Sequence, residues 1–390
     1  MTRNSPYEVA AYYFPQYHTD SHNDAWHGEG WDEWELLKSA RPRFPGHRQP
    51  VVPAWGYFDE SDPAWAAREI DLAADYGITS FLYDWYWYKD GPFLHTALED
   101  GFLRAPNRER LTFALMWANH DWINIHPATY TNHAEVLAPG RISATEFERL
   151  TTYVIEQYFS QPNYLKIDGA PYFSIYELGT FLSGMGGLEA ACEALERFRA
   201  RTRAAGFPDL HLNVVVWGIS VLPSEIKLSD PAQVIAQLGF SSTTSYAWAH
   251  HYNLNGGRHF PVARYQEVAE ANYAAWEEYA CRFDIPYHPN VSMGWDPSPR
   301  TVQSDHYDPR GYPWTAVLTD NTPAAFKEAL LRAKAFVDCS EAEPKMLTLN
   351  AWNEWTEGSY LLPDTVHGTA YLEAIRDVFG AREELPQHLR

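Results

Sequence analysis

Short runs of apolar, β-branched and aromatic residues alternate along the chain with segments in which apolar residues recur at helical spacing. Runs of this kind, bounded by turn residues, are typical of strands. Helix signals lie between them, such as Asp62 before Pro63, Ser143 with Glu146 in a capping box, and a helix start at Pro261. The pattern predicts eight strands, at residues 8–14, 79–83, 112–117, 172–176, 212–217, 239–246, 289–293 and 346–352.

Strands that alternate with helices favour a parallel sheet with helical crossover connections. Eight is the strand number of a closed barrel, so we expect an α/β fold, a (β/α)8 TIM barrel, with residues 1–390 as a single catalytic domain. The alternative, a doubly wound sheet, normally binds a nucleotide at a glycine-rich loop after its first strand. Here residues 15–18 contain no glycine, and the glycine cluster at 184–187 lacks the G-x-G-x-x-G spacing.

Three predicted strands are followed by long connections, at residues 15–61, 119–142 and 294–321. In a TIM barrel such βα loops lie at the C-terminal face, where active sites are built. These long βα loops are also rich in Trp, Tyr, His and Asp. Length and chemistry therefore coincide on one face of the predicted barrel.

The charge balance argues against several classes of function. The formal net charge is −21, and no cluster of Lys and Arg forms the basic surface that nucleic acids or anionic membranes require. We expect a cytoplasmic protein, because residues 1–8 hold no apolar signal core and no later segment is apolar enough to span a bilayer. The three cysteines are far apart and no H-E-x-x-H motif is present, so neither a metal nor a cofactor is expected. The oligomeric state is left open.

The sharpest chemical signal is the segment 350–360, Asn-Ala-Trp-Asn-Glu-Trp-Thr-Glu-Gly-Ser-Tyr, at the end of the eighth predicted strand. On a continuing strand, Glu354 and Glu357 would point to opposite sides. Gly358 and Ser359 indicate a turn, which lets both carboxylates converge on one pocket. Two carboxylates in one aromatic pocket have their pKa values pushed apart, as glycosidic cleavage requires. We therefore predict Glu354 and Glu357 as the catalytic acid–base pair.

Aromatic residues are abundant, with 16 Trp, 25 Tyr and 19 Phe, and many stand beside polar residues. Aromatic faces stack on sugar rings while polar neighbours bind the hydroxyls, although an aromatic-rich core is an equal alternative for any single residue. Alternation sends Asp84 and Trp85 to opposite sides of the second strand, so only part of the set can face a sugar. The candidate substrate-binding residues are Tyr13, Gln16, His18, Trp31, Glu33, Trp34, Asp84, Trp85, Trp117, Asn119, His120, Asp121, Tyr176, Trp217, Tyr246, Trp295 and Asn353.

Several of these segments match a known pattern: Tyr-Tyr-Phe-Pro-Gln-Tyr-His at 12–18, Gly-Glu-Gly-Trp-Asp-Glu-Trp at 28–34, Phe-Pro-Gly-His-Arg-Gln-Pro at 44–50, and Trp-Asn-Glu-Trp-Thr-Glu-Gly at 352–358. In these motifs the chain resembles the WbsX-like group, which is related to glycoside hydrolase family 99. The likeness spans almost the whole chain.

The resemblance implies a (β/α)8 barrel and a retaining glycosidase. It implies that Glu354 removes the proton of the sugar 2-hydroxyl, whose oxygen attacks the anomeric carbon to give a 1,2-anhydro intermediate. It also implies that Glu357 is the acid for the leaving group and then the base for water. The chain departs from the group at His120 and Asp84, where substrate hydroxyls are expected to bind.

Three functions remain open, all with a carbohydrate as the partner. The first is a hydrolase of an oligo- or polysaccharide. The second is a glycosyltransferase in surface-polysaccharide biosynthesis, although the chain has no D-x-D triplet and no glycine-rich donor loop. The third is an inactive glycan-binding barrel, which would not need both Glu354 and Glu357.

Overall fold

The computed structural model describes residues 6–132, 135–255 and 259–380. Its main sheet is parallel, and its strands pair in the order in which they occur along the chain. The eight strands are β1 Tyr7–Tyr13, β2 Ser80–Tyr88, β3 Thr112–Trp117, β4 Ala170–Ile175, β5 His211–Val215, β6 Ser242–Thr244, β7 in two parts (Tyr287–His288 and Asn290–Ser292) and β8 Lys345–Asn350.

The sheet closes on itself through the two parts of β7. The first part pairs in parallel with β6, and the second pairs in parallel with β8. Pro289 separates them, and its carbonyl oxygen accepts a hydrogen bond of 2.9 Å from the backbone N–H of Thr348 in β8. Strand β1 pairs with both β2 and β8, so the predicted TIM barrel is confirmed.

Ten α-helices lie in the described part of the chain. They are α1 Ser21–His27, α2 Trp34–Ser39, α3 Pro63–Asp75, α4 Ala144–Val154, α5 Leu178–Met185, α6 Leu188–Ala204, α7 Pro231–Leu238, α8 Tyr265–Arg282, α9 Pro323–Cys339 and α10 Ala370–Phe379. After β2 the crossover is instead a π-helical turn, Ala97–Gly101, followed by the short turns Phe102–Arg104 and Arg108–Arg110. None of the described helices is long and apolar enough to cross a membrane.

The helix N-caps predicted from the sequence are present in the structure. The Asp62 side chain accepts from the N–H of Ala64 at 2.8 Å, and Ser143 and Glu146 form the reciprocal box that starts α4. The helix expected from Pro261 begins four residues later, at Tyr265. The predicted start was wrong because Val262–Arg264 forms a short strand beside Val317–Thr319.

Alternation along the strands separates a polar barrel interior from an aromatic outer layer. Inside, the Ser174 hydroxyl donates to Asn213 at 2.8 Å, and the Asn213 amide donates to Ser242 at 2.9 Å. These buried groups thereby satisfy one another across β4, β5 and β6. Outside, Trp117 packs against Phe147 of α4 with ring centroids 5.6 Å apart. The core therefore continues from the strands into the helices.

Candidate active site

A cavity opens where the loops leave the C-terminal ends of the strands, with about 640 Å³ of space not filled by atoms, open solvent at its mouth included. Its position is the one that TIM-barrel enzymes use for their active sites. Its wall is largely aromatic and apolar, with a few ionisable groups. The lining residues are Phe14, Asp84, Tyr86, Met116, Ala118, His120, Asp121, Trp122, Ile123, Ile125, His126, Tyr176, Val221, Leu222, Tyr246, Ala247, His250, Trp295, Arg300, Tyr312, Glu354 and Glu357.

A tight hairpin after β8 brings Glu354 and Glu357 to this cavity. Asn353–Glu354 pairs antiparallel with Ser359–Tyr360, and the chain reverses through the turn Trp355–Glu357. Gly358 completes the reversal at φ +63°, and a Cβ atom there would lie 2.7 Å from Cβ of Asp296. The turn expected from the sequence is therefore present, and glycine is required in it because of both its backbone conformation and the close approach of Asp296.

The buried guanidinium of Arg300 lies between three carboxylates. Its Nε donates to Oε1 of Glu33 at 2.8 Å, its Nη1 donates to Glu357, and its Nη2 lies 3.6 Å from Oε1 of Glu354. Burial opposes the charge of Arg300, but the surrounding carboxylates and Tyr312 outweigh it and raise its pKa above the ordinary value. The two glutamates of the hairpin therefore converge on one cation.

Glu354 is held by neutral donors as well. The Tyr246 hydroxyl lies 2.8 Å from its Oε2, and the Asn350 amide nitrogen lies 3.4 Å from the same oxygen. Burial, reinforced by the neighbouring charge of Glu357, raises the pKa of Glu354 well above its usual range. A raised pKa makes this carboxylate a stronger proton acceptor than a solvated glutamate.

Glu357 has a different environment. Both the Tyr312 hydroxyl and Arg300 donate to its Oε1. Its backbone carbonyl also accepts from the N–H of Asp296 at 2.5 Å, which ties the hairpin to the loop after β7. The side chain and the backbone of Glu357 are therefore both fixed.

Of the residues predicted from the sequence, eight line the cavity: Asp84, His120, Asp121, Tyr176, Tyr246, Trp295, Glu354 and Glu357. His120 is buried, which lowers its pKa and favours a neutral ring. Its Nδ1 lies 2.9 Å from the carbonyl oxygen of Asp121, and the Tyr176 hydroxyl donates to Glu225 at 2.8 Å. These partners orient polar groups along one wall of the cavity.

Strand alternation places three predicted sugar-binding residues on the helix side of the barrel. Trp85 donates from Nε1 to the Tyr158 hydroxyl at 3.2 Å, and Trp117 packs on α4 and α5. Tyr13 donates to Glu69 of α3 at 3.1 Å. Their side chains fill the outer core because the neighbouring positions along each strand face inward.

Three more of the predicted residues support the loops around the cavity. Trp34 donates from Nε1 to the carbonyl of Phe58 at 2.8 Å. Asn353 accepts from the N–H of Phe14 at 2.7 Å and donates to the Phe14 carbonyl at 2.8 Å, which joins the hairpin that carries Glu354 and Glu357 to the end of β1. Asn119 makes the equivalent pair of bonds, both 2.7 Å, with the backbone of Glu177.

The other five predicted residues also lie outside the lining of the cavity. Glu33 is behind Arg300, and Trp31 packs on His27 with ring centroids 4.4 Å apart. Trp217 borders a second cavity, beside α7 and α8. Burial lowers the pKa of His18 to about 4, and the carbonyl oxygen of the Gln16 side chain accepts from Asn23 at 3.3 Å.

Sequence reasoning missed several residues of the lining. Arg300 is the most important, and its only signal was to be one of two arginines, with Arg310, in the long loop after β7. The place of Tyr86 in the lining could have been predicted from strand alternation, because Tyr86 lies on the same side of β2 as Asp84. No sequence motif marked Trp122 and His126, whose rings stack with centroids 5.1 Å apart. Among the described residues, no group of three or more His, Cys, Asp or Glu is arranged to hold a metal ion.

Residues 9–375 match the family described as "Glycosyltransferase WbsX". Two curated relatives, both named "Uncharacterized protein WxcX" and from two strains of Xanthomonas campestris pv. campestris, are 28% identical to the chain over 381 residues. These matches cover 95% of this chain and 49% of each relative. The chain thus spans about half the length of the curated relatives it matches.

Solved structures share the fold at low sequence identity. One described as "Glycoside hydrolase-like protein" is similar with a TM-score of 0.63 and 16% identity, covering 97% of this chain and 95% of that one. A GH99 endo-alpha-mannosidase from Bacteroides thetaiotaomicron is similar with a TM-score of 0.56 and 14% identity, covering 95% of both chains. At these identities the likeness concerns the barrel itself.

Proposed function

The chain belongs to the WbsX family, and we propose that it is a retaining glycoside hydrolase that cleaves a glycosidic bond in an oligo- or polysaccharide. The observation that carries the proposal is the convergence of Glu354 and Glu357 on Arg300 in one buried, aromatic-walled cavity. Glycosidic cleavage uses two carboxyl groups that lie in unlike environments. The fold, shared with glycoside hydrolases, is consistent with this chemistry.

In the proposed first step, Glu354 removes the proton of the sugar 2-hydroxyl. The 2-oxygen then attacks the anomeric carbon, the bond to the leaving group breaks, and Glu357 gives its proton to the departing oxygen. The product is a 1,2-anhydro sugar. The raised pKa of Glu354 supports its role as the base, because a carboxylate in water is too weak to take a proton from an alcohol efficiently.

In the second step, water opens the anhydro ring at the anomeric carbon. Glu357 takes a proton from the water, and Glu354 returns its proton to the 2-oxygen. Two inversions at the same carbon give net retention. The hydrogen bonds to Glu357 suit this role, since Tyr312 and Arg300 both occupy Oε1 and leave Oε2 to exchange the proton.

The wall of the cavity supports a carbohydrate as the substrate. Tyr86, Trp122 and Trp295 offer aromatic faces against which sugar C–H groups can pack. His120 and Asp121 stand beside them as hydroxyl ligands. This combination of flat apolar faces and a few convergent polar groups is typical of sugar sites.

A glycosyltransferase is the second candidate, and the description of the family favours it. In that reaction the same carboxylates would activate an acceptor hydroxyl while the sugar leaves a donor. The two reactions differ in what is consumed, so a product assay separates them.

To test the proposal, we would incubate the full chain with a panel of aryl glycosides and oligosaccharides. We expect released sugar of retained configuration, observed by proton NMR, with turnover abolished in Glu354→Gln and Glu357→Gln. A matched control is Glu277→Gln, an exposed glutamate on α8, which should keep full activity.

Consumption of a nucleotide-sugar donor with an acceptor, without hydrolysis, would refute the hydrolase and support the transferase. Sugar binding without turnover of any donor would indicate an inactive glycan-binding barrel.

A further inference from the structure

One hydroxyl in the cavity stands between two carboxylates. The Tyr246 oxygen lies 2.7 Å from Oδ2 of Asp84 and 2.8 Å from Oε2 of Glu354. Both distances are those of good hydrogen bonds. A hydroxyl carries one proton and donates to one oxygen at a time, so the second bond needs a proton from the carboxyl side. The arrangement is therefore complete only when one of the two carboxyls is protonated.

The charged groups around Asp84 and Glu354 also favour protonation of one of the two carboxyls. Arg300 is the nearest cation, yet it hydrogen-bonds Glu33 and Glu357 and approaches Glu354 only to 3.6 Å. The other titratable groups that face the pair are acidic or neutral: Glu357, Tyr86 and Tyr12. Two buried negative charges at Asp84 and Glu354 would therefore lack compensation, which proteins avoid by taking up a proton.

The second oxygen of Asp84 identifies the better proton holder. Oδ1 of Asp84 is buried and accepts no hydrogen bond from any described residue. An ionised carboxylate without donors on one oxygen is strongly disfavoured, whereas a neutral carboxylic acid tolerates it. Glu354, by contrast, has Asn350 and Arg300 close to its oxygens, and these stabilise its charge.

We propose that Asp84 and Glu354 hold a single proton between them through Tyr246, and that this proton rests on Asp84. Asp84 donates from Oδ2 to the Tyr246 oxygen, and Tyr246 donates to Oε2 of Glu354. Glu354 then stays ionised in a cavity crowded with carboxylates, and its Oε1, which Nη2 of Arg300 approaches only to 3.6 Å, can receive a proton. This catalytic consequence rests on the function proposed above. Asp84 is a positioning residue, because it acts on Glu354 through Tyr246.

The direction of the pKa shifts agrees with this geometry. Burial raises the pKa of Asp84 well above its ordinary value, and the charge of Glu357 adds to the effect against the opposing hydrogen bond from Tyr246. Burial likewise raises the pKa of Glu354.

The direct test needs no substrate. We would label the aspartate side-chain carboxyls of the full chain with carbon-13 and record their NMR spectrum at neutral pH. We expect one resonance at the chemical shift of a protonated carboxylic acid, lost in Asp84→Asn and kept in the control Asp284→Asn, an exposed position. If the wild type has no such resonance, or if Asp84→Asn keeps it, the proposal is overturned. This result stands whether or not the protein proves to be a glycosidase.

The pH profile gives a second, catalytic test. The amide of Asp84→Asn can donate to Tyr246 as the protonated acid does, so Glu354 meets the same neutral neighbour. We expect the acid limb of kcat/KM in this variant to stay at the pH of the wild type, whatever its absolute rate. An acid limb displaced to lower pH would show that Asp84 is ionised in the wild type, and would overturn the proposal.

Discussion

Replacing Arg300 by methionine should destabilise the folded chain, because it removes the cation on which Glu33, Glu354 and Glu357 converge. The substitution fills most of the side-chain volume but removes the hydrogen bonds to Glu33 and Glu357 and the ion pair with Glu354. Removing one partner of a buried ion pair costs about 3–5 kcal/mol, because the remaining charge stays buried without compensation. Proton uptake by the orphaned carboxylates limits the total, so we expect a loss of about 3–5 kcal/mol at pH 8.

The loss should depend on pH in a definite direction. The pKa values of Glu33 and Glu354 are already raised by burial in the folded chain, and removing Arg300 raises them further. A carboxyl whose pKa is raised on folding stabilises the fold fully at low pH, and that contribution is lost as the pH rises. The deficit of Arg300→Met should therefore be largest at pH 8 and smaller at pH 5.

The measurement is the free energy of unfolding from guanidinium titrations at both pH values, followed by tryptophan fluorescence. The matched control is Arg264→Met, whose side chain is 70% exposed and lies 3.6 Å from Asp320. It should change stability by less than about 0.5 kcal/mol. A loss of under about 1 kcal/mol in Arg300→Met at pH 8, or an equal loss at both pH values, would refute the role assigned to Arg300.

Two further substitutions test the hairpin and the outer core. Gly358→Ala should cost about 2–4 kcal/mol in thermal or denaturant unfolding, since a Cβ meets Asp296 at 2.7 Å and φ is +63°. Gly368→Ala, at φ +55° with nothing within 4 Å, should show only the smaller backbone cost, so equal losses would contradict this reasoning. Burial raises the pKa of Glu69 from 4.5 to about 7, so its contribution to stability falls as the pH rises through that window. Glu69→Gln should gain stability relative to the wild type between pH 4.5 and pH 7, and parallel pH curves would show that the prediction is wrong.

The fold was largely predictable because its signals are local. Strand runs, the Asp62 cap and the Ser143 capping box depend on neighbours within a few residues, and each appears where expected. The misplaced start of α8 has a non-local cause, the pairing of Val262–Arg264 with a strand more than fifty residues away. The division of β7 at Pro289 is similar, since it depends on which strand each part meets.

The candidate site was predictable only in part. Glu354 and Glu357 could be singled out because they share one short motif at a strand end, and Asp84 and Tyr246 because they end other strands. Trp85 shows the limit, since it is adjacent to Asp84 and equally aromatic-rich in context, yet it packs against Tyr158 outside the barrel. Composition identifies residues capable of binding sugar, while strand register decides which of them face inward.

The amino-acid sequence by itself determined the eight-strand pattern, the motif with Glu354 and Glu357, and the formal net charge of −21. Only the tertiary structure decided that Arg300 joins those glutamates and that Tyr246 stands between Glu354 and Asp84. The physical reason is the separation along the chain over which each interaction acts. Backbone preferences and side-chain periodicity act over a few residues, whereas charge compensation and a shared proton depend on atoms that closure of the barrel brings together from distant segments.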